Sequence, residues 1–585
     1  MPEQNTAMEP LTYQNGSSTV TLTEDELTIK VSGDIWTKKQ WNWLFNAVFQ
    51  LVMTGMSWVM APSSASNSLT SEGQPRWKLM SIDVISSLLF ALLIRPIHPL
   101  RKLFAAIDWT KIDERCAAVY KNRKRGAPAY PPQVLFRILV LMFFSGTPFE
   151  SATLLRLETD VAWRWFTGLS LLVSVPDAGT LSRFRSRVGI ELFEEILIEL
   201  ILACDKASLI GHEESYYDMT GVEASATQVT PYQRAVILSR ALSVYLDGPQ
   251  GGVGHIDKEQ IASIALEVLQ EKHPSLKKVR PEQIVHSQDK LEGSNQDGSG
   301  WWKGISQKVS GLKQKAKGRS KATIEHLRRV AGDLVPTLPQ AFGNPDASVG
   351  HTRTDGTLCG YRSGFLVDAN RFIITAVVFV TLSTAEAPTV ITALDKHYAI
   401  FGRFPKRLGL DSAFDRDEVH RHTEEHKIYS GVTIRSRPGV AGVFHADDFL
   451  WNDQGQLLCP NAGVMEQVGG PYKNSTVRYR SKGECAQCPF VEKCLTDKQR
   501  EKDNPRRELQ TNPAAHQRAQ RNRERSRSPE GKAIRRRRFS AESVFGHVNR
   551  FHNGDKAPYR NDEMDNIAQI MVAFVSNLEK LAAST

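Results

Sequence analysis

The sequence of 585 residues contains little cysteine and no long uninterrupted apolar run. Its seven cysteines are an odd number and no secretory signal precedes them, so a disulfide framework is not expected. The most apolar early segment, residues 41–61, carries Asn42, Asn46 and Gln50 at helical spacing. This spacing predicts a buried or docking helix rather than a membrane span. Together these absences predict a cytoplasmic protein without membrane contact.

The charge balance favours an anionic partner. The chain has 74 lysines and arginines against 64 aspartates and glutamates, a formal net charge of +10. The electric field of a positively charged protein attracts polyanions, so nucleic acid is the leading partner class, although many basic proteins bind none. A hydrophobic fraction of 41% is sufficient for globular cores. At roughly 150 residues per domain, the length predicts three or four domains.

Residues 98–205 have helical periodicity. Asp177 is a suitable N-cap for a short helix that carries Arg183, Arg185 and Arg187. Two short helices followed by an arginine-bearing helix are typical of a helix-turn-helix DNA reader. An ordinary helical bundle with a solvated basic face fits these residues equally well.

Two predicted strands each end at an aspartate. Strand 215–217 precedes Asp218, and strand 407–410 precedes Asp411. Between them lies a hairpin of two apolar strands that turns at residues 368–370, followed by a helix. Because ligands gather at the carboxyl ends of strands in α/β sheets, this order predicts a mixed sheet whose strand ends carry catalytic carboxylates.

Two polar segments have alternative interpretations. Residues 245–350 are rich in glycine, serine, glutamine and lysine, and a solvated linker is favoured there over an insertion that contacts nucleic acid. His420, His422 and His426 fall on one predicted helix. Nothing else near them resembles a zinc-protease motif, so an exposed helix face is favoured over a zinc site.

Four cysteines cluster late in the chain, at Cys459, Cys485, Cys488 and Cys494. A Cys-x2-Cys pair with two further cysteines in a reducing compartment suits tetrahedral zinc, because the ion offsets the repulsion between thiolates. The alternative is four unrelated thiols.

A basic segment precedes the last helices. Residues 501–538 are charged and end in a run from Arg535 to Arg538. A solvated, disordered tail is the usual structure of such a composition. Here it continues directly into a predicted helix that carries Glu542, and an amphipathic helix closes the chain.

Three segments together resemble the DDE transposases of bacterial insertion sequences: YYDMTGVEASAT with Asp218, LGLDSAFDRDEV with Asp411, and RRRRFSAESVFGHVNR with Glu542. The helical stretch is also similar to the N-terminal domain of that family, in RGAPAYPPQVLFRILV, DVAWRWFTGL and PDAGTLSRFRSRVG. The resemblance extends over about residues 98–581, except the poorly matched 235–345.

The resemblance implies an α/β ribonuclease H-like catalytic fold in which Asp218, Asp411 and Glu542 hold two Mg²⁺ or Mn²⁺ ions. Arg538, four residues before the glutamate, matches an arginine often found there. Some relatives carry tyrosine seven residues before the glutamate and lysine seven after it, but this chain has Arg535 and Asn549. The resemblance therefore implies no mechanism that depends on those two residues, including a hairpin intermediate.

The expected partners are double-stranded DNA, both the terminal inverted repeats of the element and the target, and a second copy of the chain on DNA. Arg183, Arg185, Arg187 and the run from Arg535 to Arg538 are the predicted DNA-binding residues. The expected fold is an all-α, helix-turn-helix-like domain followed by the α/β core and a small Cys-cluster insertion. The predicted boundaries are 1–97 of unknown role, 98–205 helical, 206–234 and 351–450 catalytic, 235–350 insertion, 451–500 Cys cluster, 501–538 basic linker and 539–585 C-terminal helices.

Two other functions compete with transposition. One is a non-catalytic helix-turn-helix and zinc DNA-binding protein, either a regulator or a domesticated relative that no longer cleaves. The other is a metal-dependent DNA nuclease. All three acids being present argues against the non-catalytic alternative, since nothing structural demands carboxylates at two strand ends.

Overall fold

The computed structural model describes residues 11–15, 18–22, 27–30, 84–120, 129–147, 149–246, 256–292, 300–315, 324–344, 346–352, 356–434 and 443–584. It divides into two compact units. The helical unit comprises Met1–Leu209, Arg550–Asn553 and Ile570–Thr585, and the sheet unit comprises Ile210–Asn549 and Gly554–Gln569. Among the helices in these ranges none is long and apolar enough to cross a membrane. The predicted docking helix at 41–61 lies outside the described residues.

The helical unit begins with a small antiparallel sheet and continues with helices. Its strands are β1 Leu11–Asn15, β2 Ser18–Leu22 and β3 Leu27–Lys30, paired in that order. Its helices are α1 Val84–Leu93, α2 Pro99–Ala105, α3 Thr110–Ala117, α4 Pro132–Phe144, α5 Glu150–Thr159, α6 Val161–Thr167 and α7 Ala178–Lys206. The all-α character predicted for 98–205 is confirmed over the described part of that range.

Helix α7 combines two predicted helices. Asp177 caps it, because its side chain accepts a hydrogen bond from the Thr180 amide at 2.6 Å, as predicted. Instead of ending as a short helix, it continues to Lys206 through a kink at Gly189, where φ is 72°. Glycine alone adopts this backbone conformation without strain. The second half is amphipathic, with Phe193 and Leu200 among its buried residues.

The sheet unit is organised around β4, which spans Glu214–Ala224. This strand is longer than the predicted 215–217, so Asp218 lies within it rather than after its end. On one side β4 pairs in parallel with β10 Arg407–Leu410, which pairs in parallel with β11 Tyr429–Val432. On the other side it pairs antiparallel with β8 Gly356–Asp368. The mixed character of the sheet agrees with the prediction.

The remaining strands extend this sheet at its antiparallel side. β8 pairs with β9 Ile374–Thr381 in the hairpin that the sequence predicts, and also with β7 Ser348–Thr352. Helix α13, Ala387–Phe401, packs on one face through Val390 and Leu394. Tyr217 belongs to the same apolar cluster, so this residue of β4 points towards α13.

The prediction of a solvated linker after β4 is wrong. After β5 Thr227–Gln228, the chain forms α8 Pro231–Leu246, α9 Lys258–Gln270, α10 Pro281–Glu292, α11 Gly300–Lys315 and α12 Ile324–Leu334, and returns through β6 Ala341–Phe342. These helices enclose their own apolar core, which includes Leu238, Leu266 and Leu334. The polar composition of the connecting segments concealed this core, because each helix buries only one narrow apolar face.

The Cys cluster belongs to a second, antiparallel sheet. Its strands are β12 Leu450–Trp451, β13 Leu457–Leu458, β14 Val464–Gly469, β15 Val477–Ser481 and β16 Glu508–Thr511, paired in that order. Two short helices, α15 Val491–Cys494 and α16 Asp497–Arg500, connect β15 to β16.

The predicted basic linker is also structured. Beyond β16 it forms α17 Pro513–Arg527 and the first part of α18 Pro529–His552. Its arginines have acidic partners, since Arg518 forms two hydrogen bonds of 2.8 Å with Asp417 and Arg521 binds Glu424 at 2.8 Å. Paired charges can be held against a folded surface, whereas a chain of unpaired arginines would stay solvated. The chain ends with β17 Lys556–Ala557, which pairs with β4, and α19 Asp562–Ser584.

Helix α18 lies on the opposite face of the main sheet from α13. Its buried Ile534 covers Gly409 of β10 and Gly431 of β11, which are register partners. A Cβ atom on Gly431 would lie 2.9 Å from the Ile534 Cγ2 atom, and one on Gly409 would lie 3.3 Å from it. Both strands therefore need glycine for α18 to approach the sheet. Further along, the Phe545 ring stacks on Phe365 of β8 with centroids 5.1 Å apart.

Candidate active site

The strand register brings Asp218 and Asp411 side by side. Within the parallel pair, Glu214 is opposite Arg407 and Tyr216 is opposite Gly409. The same offset places Asp411, the residue after β10, beside Asp218. Neighbouring strands lie about 4.8 Å apart, so the two carboxylates are on adjacent backbones. Because side chains alternate along a strand, Asp218 shares the face of Glu214 and Tyr216, which is the face that α18 covers.

Asp218 is partly buried and strongly hydrogen-bonded. One carboxylate oxygen accepts from the Met219 amide at 2.9 Å, and the other accepts from Arg538 at 2.6 Å. Burial raises the pKa of Asp218 to about 6, and the negative charges of Asp411 and Glu542 add to this effect while Arg538 opposes it. Asp411 and Glu542 are thus close enough to Asp218 for their charges to affect its pKa.

Arg538 connects Asp218 with Glu542. Its guanidinium donates to Asp218 at 2.6 Å and to Glu542 at 2.9 Å, and its own side chain is 12% exposed. Glu542 is 47% exposed and lies one helical turn after Arg538 on α18. In the part of the chain that the structure describes, the oxygens of the three acids do not all lie within 4.8 Å of one another. The guanidinium lies between two of them.

Asp411 has a local partner of its own. Its carboxylate accepts a hydrogen bond from the Ala413 amide and caps the short helical turn Ser412–Phe414. This bond fixes one oxygen and leaves the other for a ligand. The donor set fits Mg²⁺, which prefers hard oxygen ligands and retains several waters, so that three carboxylates are sufficient.

The other predicted arginines on α18 have different surroundings. Arg535 donates to the Ser526 carbonyl at 2.9 Å, and Arg537 binds Glu214 through two hydrogen bonds of 2.9 and 2.5 Å. Arg536 is exposed. Only Arg536 of the four is therefore fully directed to solvent, while Arg537 and Arg538 have carboxylate partners within the protein.

The three arginines of α7 also differ in exposure and in their partners. Arg183 is exposed, with its Nη2 atom 3.6 Å from Asp177. Arg187 is exposed and its guanidinium lies 4.6 Å from the Tyr120 ring centroid. The prediction that Arg185 contacts DNA is corrected, because its side chain is only 5% exposed and forms an ion pair with Glu150.

All four cysteines of the late cluster line one small cavity of about 20 Å³. The pKa of Cys494 is raised to about 11, chiefly by burial; Arg507 opposes the rise, and Cys485, Cys459 and Cys488 contribute to it. The thiols are therefore close enough to influence one another electrically. All four are free of disulfides.

The three histidines after Asp411 do not form an exposed helix face. His420 is 2% exposed and lies 2.9 Å from an Asp415 oxygen. The rings of His422 and His426 lie 4.5 Å apart beside Phe404. The expectation of a solvated face was wrong for His420, because helix α14, Asp417–Glu425, turns that residue towards the core.

Sequence reasoning missed an ion-pair network beside the acids. Glu214 is joined to Arg537, to Arg407 at 3.1 Å and to the Tyr216 hydroxyl at 2.5 Å. The available signal was the alternation of Glu214, Tyr216 and Asp218 on one strand face. The partner in α18 lies 323 residues away in sequence, and no local pattern identifies it.

The fold and these side chains define a protein with a helical unit and a second unit that carries an acidic site on a mixed α/β sheet. Comparison with known families then identifies it more closely. Residues 90–187 match a family model described as a transposase domain, and residues 458–582 match one described as a transposase DDE domain. No curated protein and no solved structure matches the chain.

These two matches support a DDE-type transposase. The family implies a metal-dependent enzyme that processes nucleic acid and binds DNA, and such transposases generally use divalent ions such as Mg²⁺. The second match includes the Cys cluster and Glu542, while Asp218 and Asp411 lie outside both matched segments. The strand register and the bond from Arg538 are what bring these two aspartates to the site.

Proposed function

We propose that this protein is the transposase of a bacterial insertion sequence, which binds the ends of its element, cleaves DNA strands and joins them to target DNA. The observation that carries this proposal is that Asp218 and Asp411, on adjacent strands, and Glu542, on α18, face the same side of the α/β sheet, with Arg538 bonded to Asp218 and Glu542. The central strand β4, with an antiparallel pair on one side and two parallel strands on the other, supports the ribonuclease H-like fold.

The three acids are suited to hold two divalent ions. When bound, such ions stabilise charge on the attacking and leaving oxygens of an in-line phosphoryl transfer and lower the pKa of bound water. Backbone hydrogen bonds orient two of the carboxylates. They fix one oxygen of Asp218 and one of Asp411, and Glu542 is half exposed beside them.

Arg538 compensates the negative charge of the site. Three neighbouring carboxylates repel one another, and a guanidinium with two parallel donors reduces that repulsion. Arg536, exposed two residues earlier, is suited to bind a backbone phosphate of the DNA near the acids. The helical unit supplies the exposed Arg183 and Arg187, which we assign to the element ends.

The proposed reaction also suggests an oligomeric state and a location. Cutting and joining two element ends together requires two active sites, so we propose that the chain acts as a homodimer or larger oligomer on DNA. The proposed location is the cytoplasm, in association with the nucleoid. A metal-dependent nuclease would share the acids but would not join ends to a target.

The test is a cleavage and joining assay on duplex DNA that carries the element ends, with Mg²⁺ or Mn²⁺. Wild type should cleave and join, whereas Asp218→Ala and Asp411→Ala should reduce both by more than a thousandfold and retain end binding. Glu223→Ala is the matched control, because Glu223 lies on the same strand, is 54% exposed and pairs with Lys556 away from the acids. Normal cleavage by Asp411→Ala would overturn the assignment. Cleavage without joining would favour the nuclease.

We also propose that Cys459, Cys485, Cys488 and Cys494 hold a structural zinc ion. The support is the cavity that all four line and the mutual effect of the thiols on the pKa of Cys494. Zinc binding would replace the four protons with one ion and connect β13, the β15–α15 segment and α15 itself.

Zinc content of the purified chain tests this proposal. Wild type should contain one equivalent of zinc, and Cys488→Ser should lose it together with several degrees of melting temperature. Cys204→Ser is the control, since Cys204 is fully buried in the helical unit and far from the cluster in sequence. A wild-type chain without zinc, purified in zinc-containing medium, would contradict the proposal.

A further inference from the structure

Glu214 is a buried carboxylate with four hydrogen bonds. Its side chain is 6% exposed. One oxygen accepts from the Arg537 Nε atom at 2.9 Å and the Tyr216 hydroxyl at 2.5 Å, and the other accepts from the Arg537 Nη2 atom at 2.5 Å and the Arg407 Nε atom at 3.1 Å. Burial raises the pKa of Glu214, but the bonds and charges of Arg537, Tyr216 and Arg407 outweigh it and hold the pKa below its usual value. The group is thus a stable anion.

This anion attaches α18 to the start of β4. Arg537 is the neighbour of Arg538, and both reach the same face of β4, where Glu214 and Asp218 are four residues apart, two periods of the side-chain alternation. The bidentate pair between Arg537 and Glu214 is directional, because a guanidinium fork and a carboxylate match in only one plane. It therefore restrains both the rotation of the helix and its position along its axis.

Glu542 depends on that restraint. In the described part of the chain its carboxylate forms an ion pair with Arg538, which lies on the same helix. A helix that slipped by one residue would move Glu542 by about 1.5 Å along the axis and about 100° around it. Such a slip would separate Glu542 from Asp218. The apolar contact of Ile534 with the two strand glycines permits sliding more readily than a fork of hydrogen bonds does.

We propose that Glu214 is a positioning residue, which with Arg537 sets the place of Glu542 relative to Asp218 and so the geometry in which divalent ions bind. This inference rests on the proposed function of the three acids. It also gives Arg537 a role different from the phosphate contact that the arginine run predicts, since its Nε and Nη2 donors are directed to Glu214.

The test compares Glu214→Gln and Arg537→Lys with Glu213→Gln in the full-length protein. The glutamine keeps the shape of Glu214 but places an NH2 group against donors, and the lysine keeps the charge but loses the fork. Glu213 is the matched control, because it is the preceding residue, is 51% exposed and its side chain pairs with Lys406 at 2.7 Å rather than with Arg537.

The first readout is direct binding of Mn²⁺, measured by electron paramagnetic resonance without DNA. We expect a Kd at least about 10-fold higher for both network variants, as for other residues that orient metal ligands, and an unchanged Kd for the control. The cleavage assay should show a lower maximal rate and a higher metal requirement with unchanged affinity for the element ends. Because Mg²⁺ demands stricter geometry, the loss should be larger in Mg²⁺ than in Mn²⁺.

The second readout is amide hydrogen exchange in the metal-free protein. Loss of the fork should accelerate exchange in the part of α18 around Glu542 and leave β15 and β16 unchanged. A merely structural role would lower the melting temperature while the folded fraction kept wild-type Mn²⁺ affinity and metal requirement, and that result would overturn the inference. A wild-type chain that neither binds Mn²⁺ nor cleaves would contradict the proposed function instead, with the exchange result still deciding the positioning of α18.

Discussion

Burial makes ionised Asp218 costly to the metal-free protein. The pKa of this carboxyl is raised to about 6 from its ordinary value of 3.8. For an acid, a raised pKa in the folded state means that the charged form destabilises the fold. The cost is complete above about pH 6 and disappears as the pH falls towards 3.8.

Asp218→Asn should therefore stabilise the metal-free chain at pH 7.5. The gain is at most about 3 kcal/mol and more realistically about 1–2 kcal/mol, since Arg538 loses one anionic partner. Urea unfolding in the presence of a chelator measures it, and the difference between variant and wild type should shrink when the experiment is repeated at pH 4.5. A variant less stable than wild type at pH 7.5 would contradict the burial argument.

Gly409 allows α18 to approach the sheet. A Cβ atom there would lie 2.7 Å from the Tyr216 Cδ1 atom, and the buried Tyr216 ring cannot easily move aside. Gly409→Ala should destabilise the protein by about 1–3 kcal/mol and weaken Mn²⁺ binding, because Ile534 and the helix behind it must shift.

Gly332→Ala provides the matched control for that substitution. Gly332 is an exposed residue within α12, and its Cβ would meet no atom within 4 Å. Replacing glycine in an open helical position should stabilise the chain by about 0.5–1 kcal/mol. Denaturant unfolding of the two variants therefore should give changes of opposite sign, and equal changes would refute the packing argument.

At the scale of single residues, the sequence predicted the acids but not their supports. Asp411 follows a short apolar strand, and the parallel register places it next to Asp218. The order of strand and aspartate is readable because it depends on a local pattern, whereas the register between the two strands is long-range and is seen only in the structure. Glu214, Arg407 and Arg537 come from three distant segments, and only the packing of α18 brings them together.

Among the elements, α17 shows how a basic segment is held in a folded structure. Glu424 at the end of α14 accepts from Arg521 at 2.8 Å and lies 3.2 Å from Arg525. Burial raises the pKa of Glu424, but the hydrogen bond from Arg521 and the charges of Arg521, Arg525 and Arg518 outweigh it, and the pKa is lowered overall. A lowered pKa means stability that is present above the ordinary value of 4.5 and lost as the pH falls below it.

Glu424→Gln should lower the free energy of unfolding by about 1–2 kcal/mol at pH 7. The effect is not larger because Arg521 is half exposed, so that solvent screens its ion pair with Glu424. As the pH falls below 4.5, the difference in free energy of unfolding between variant and wild type should shrink, because the wild-type carboxyl becomes increasingly protonated. Glu425→Gln, at the exposed neighbouring position, should change stability by less than about 0.5 kcal/mol at pH 7 or pH 3. A deficit of Glu424→Gln that stayed constant from pH 7 to pH 3 would exclude an electrostatic origin.

Element prediction failed where polar composition concealed structure. The helices α8 to α12 and α17 have narrow apolar faces or paired arginines, and both features depend on tertiary partners. The strands and helices of the main sheet were predictable because their apolar residues recur with a clear period of two or 3.6.

At the scale of the whole molecule, the excess of basic residues was interpretable as a preference for nucleic acid, and the transposase matches agree with it. Net charge does not identify which basic side chains contact DNA. Of the three arginines on α7, burial removes Arg185 from that set, whereas Arg183 and Arg187 stay exposed. The division follows from the helical period, since residues 183 and 187 share a face and residue 185 points away from it.

The salt dependence of DNA binding distinguishes these arginines. If Arg183 and Arg187 each bind a phosphate, the double variant Arg183→Gln/Arg187→Gln should reduce the slope of log K against log salt by about 2, since each neutralised phosphate contributes about 0.9. Arg185→Gln should leave the slope unchanged but lower the melting temperature, because Glu150 loses its buried partner. Titration of duplex DNA at 50–200 mM salt, monitored by fluorescence anisotropy, measures the slopes. An unchanged slope in the double variant would exclude α7 from the DNA interface, because a helix that contacts phosphates through these side chains must release counterions when they bind.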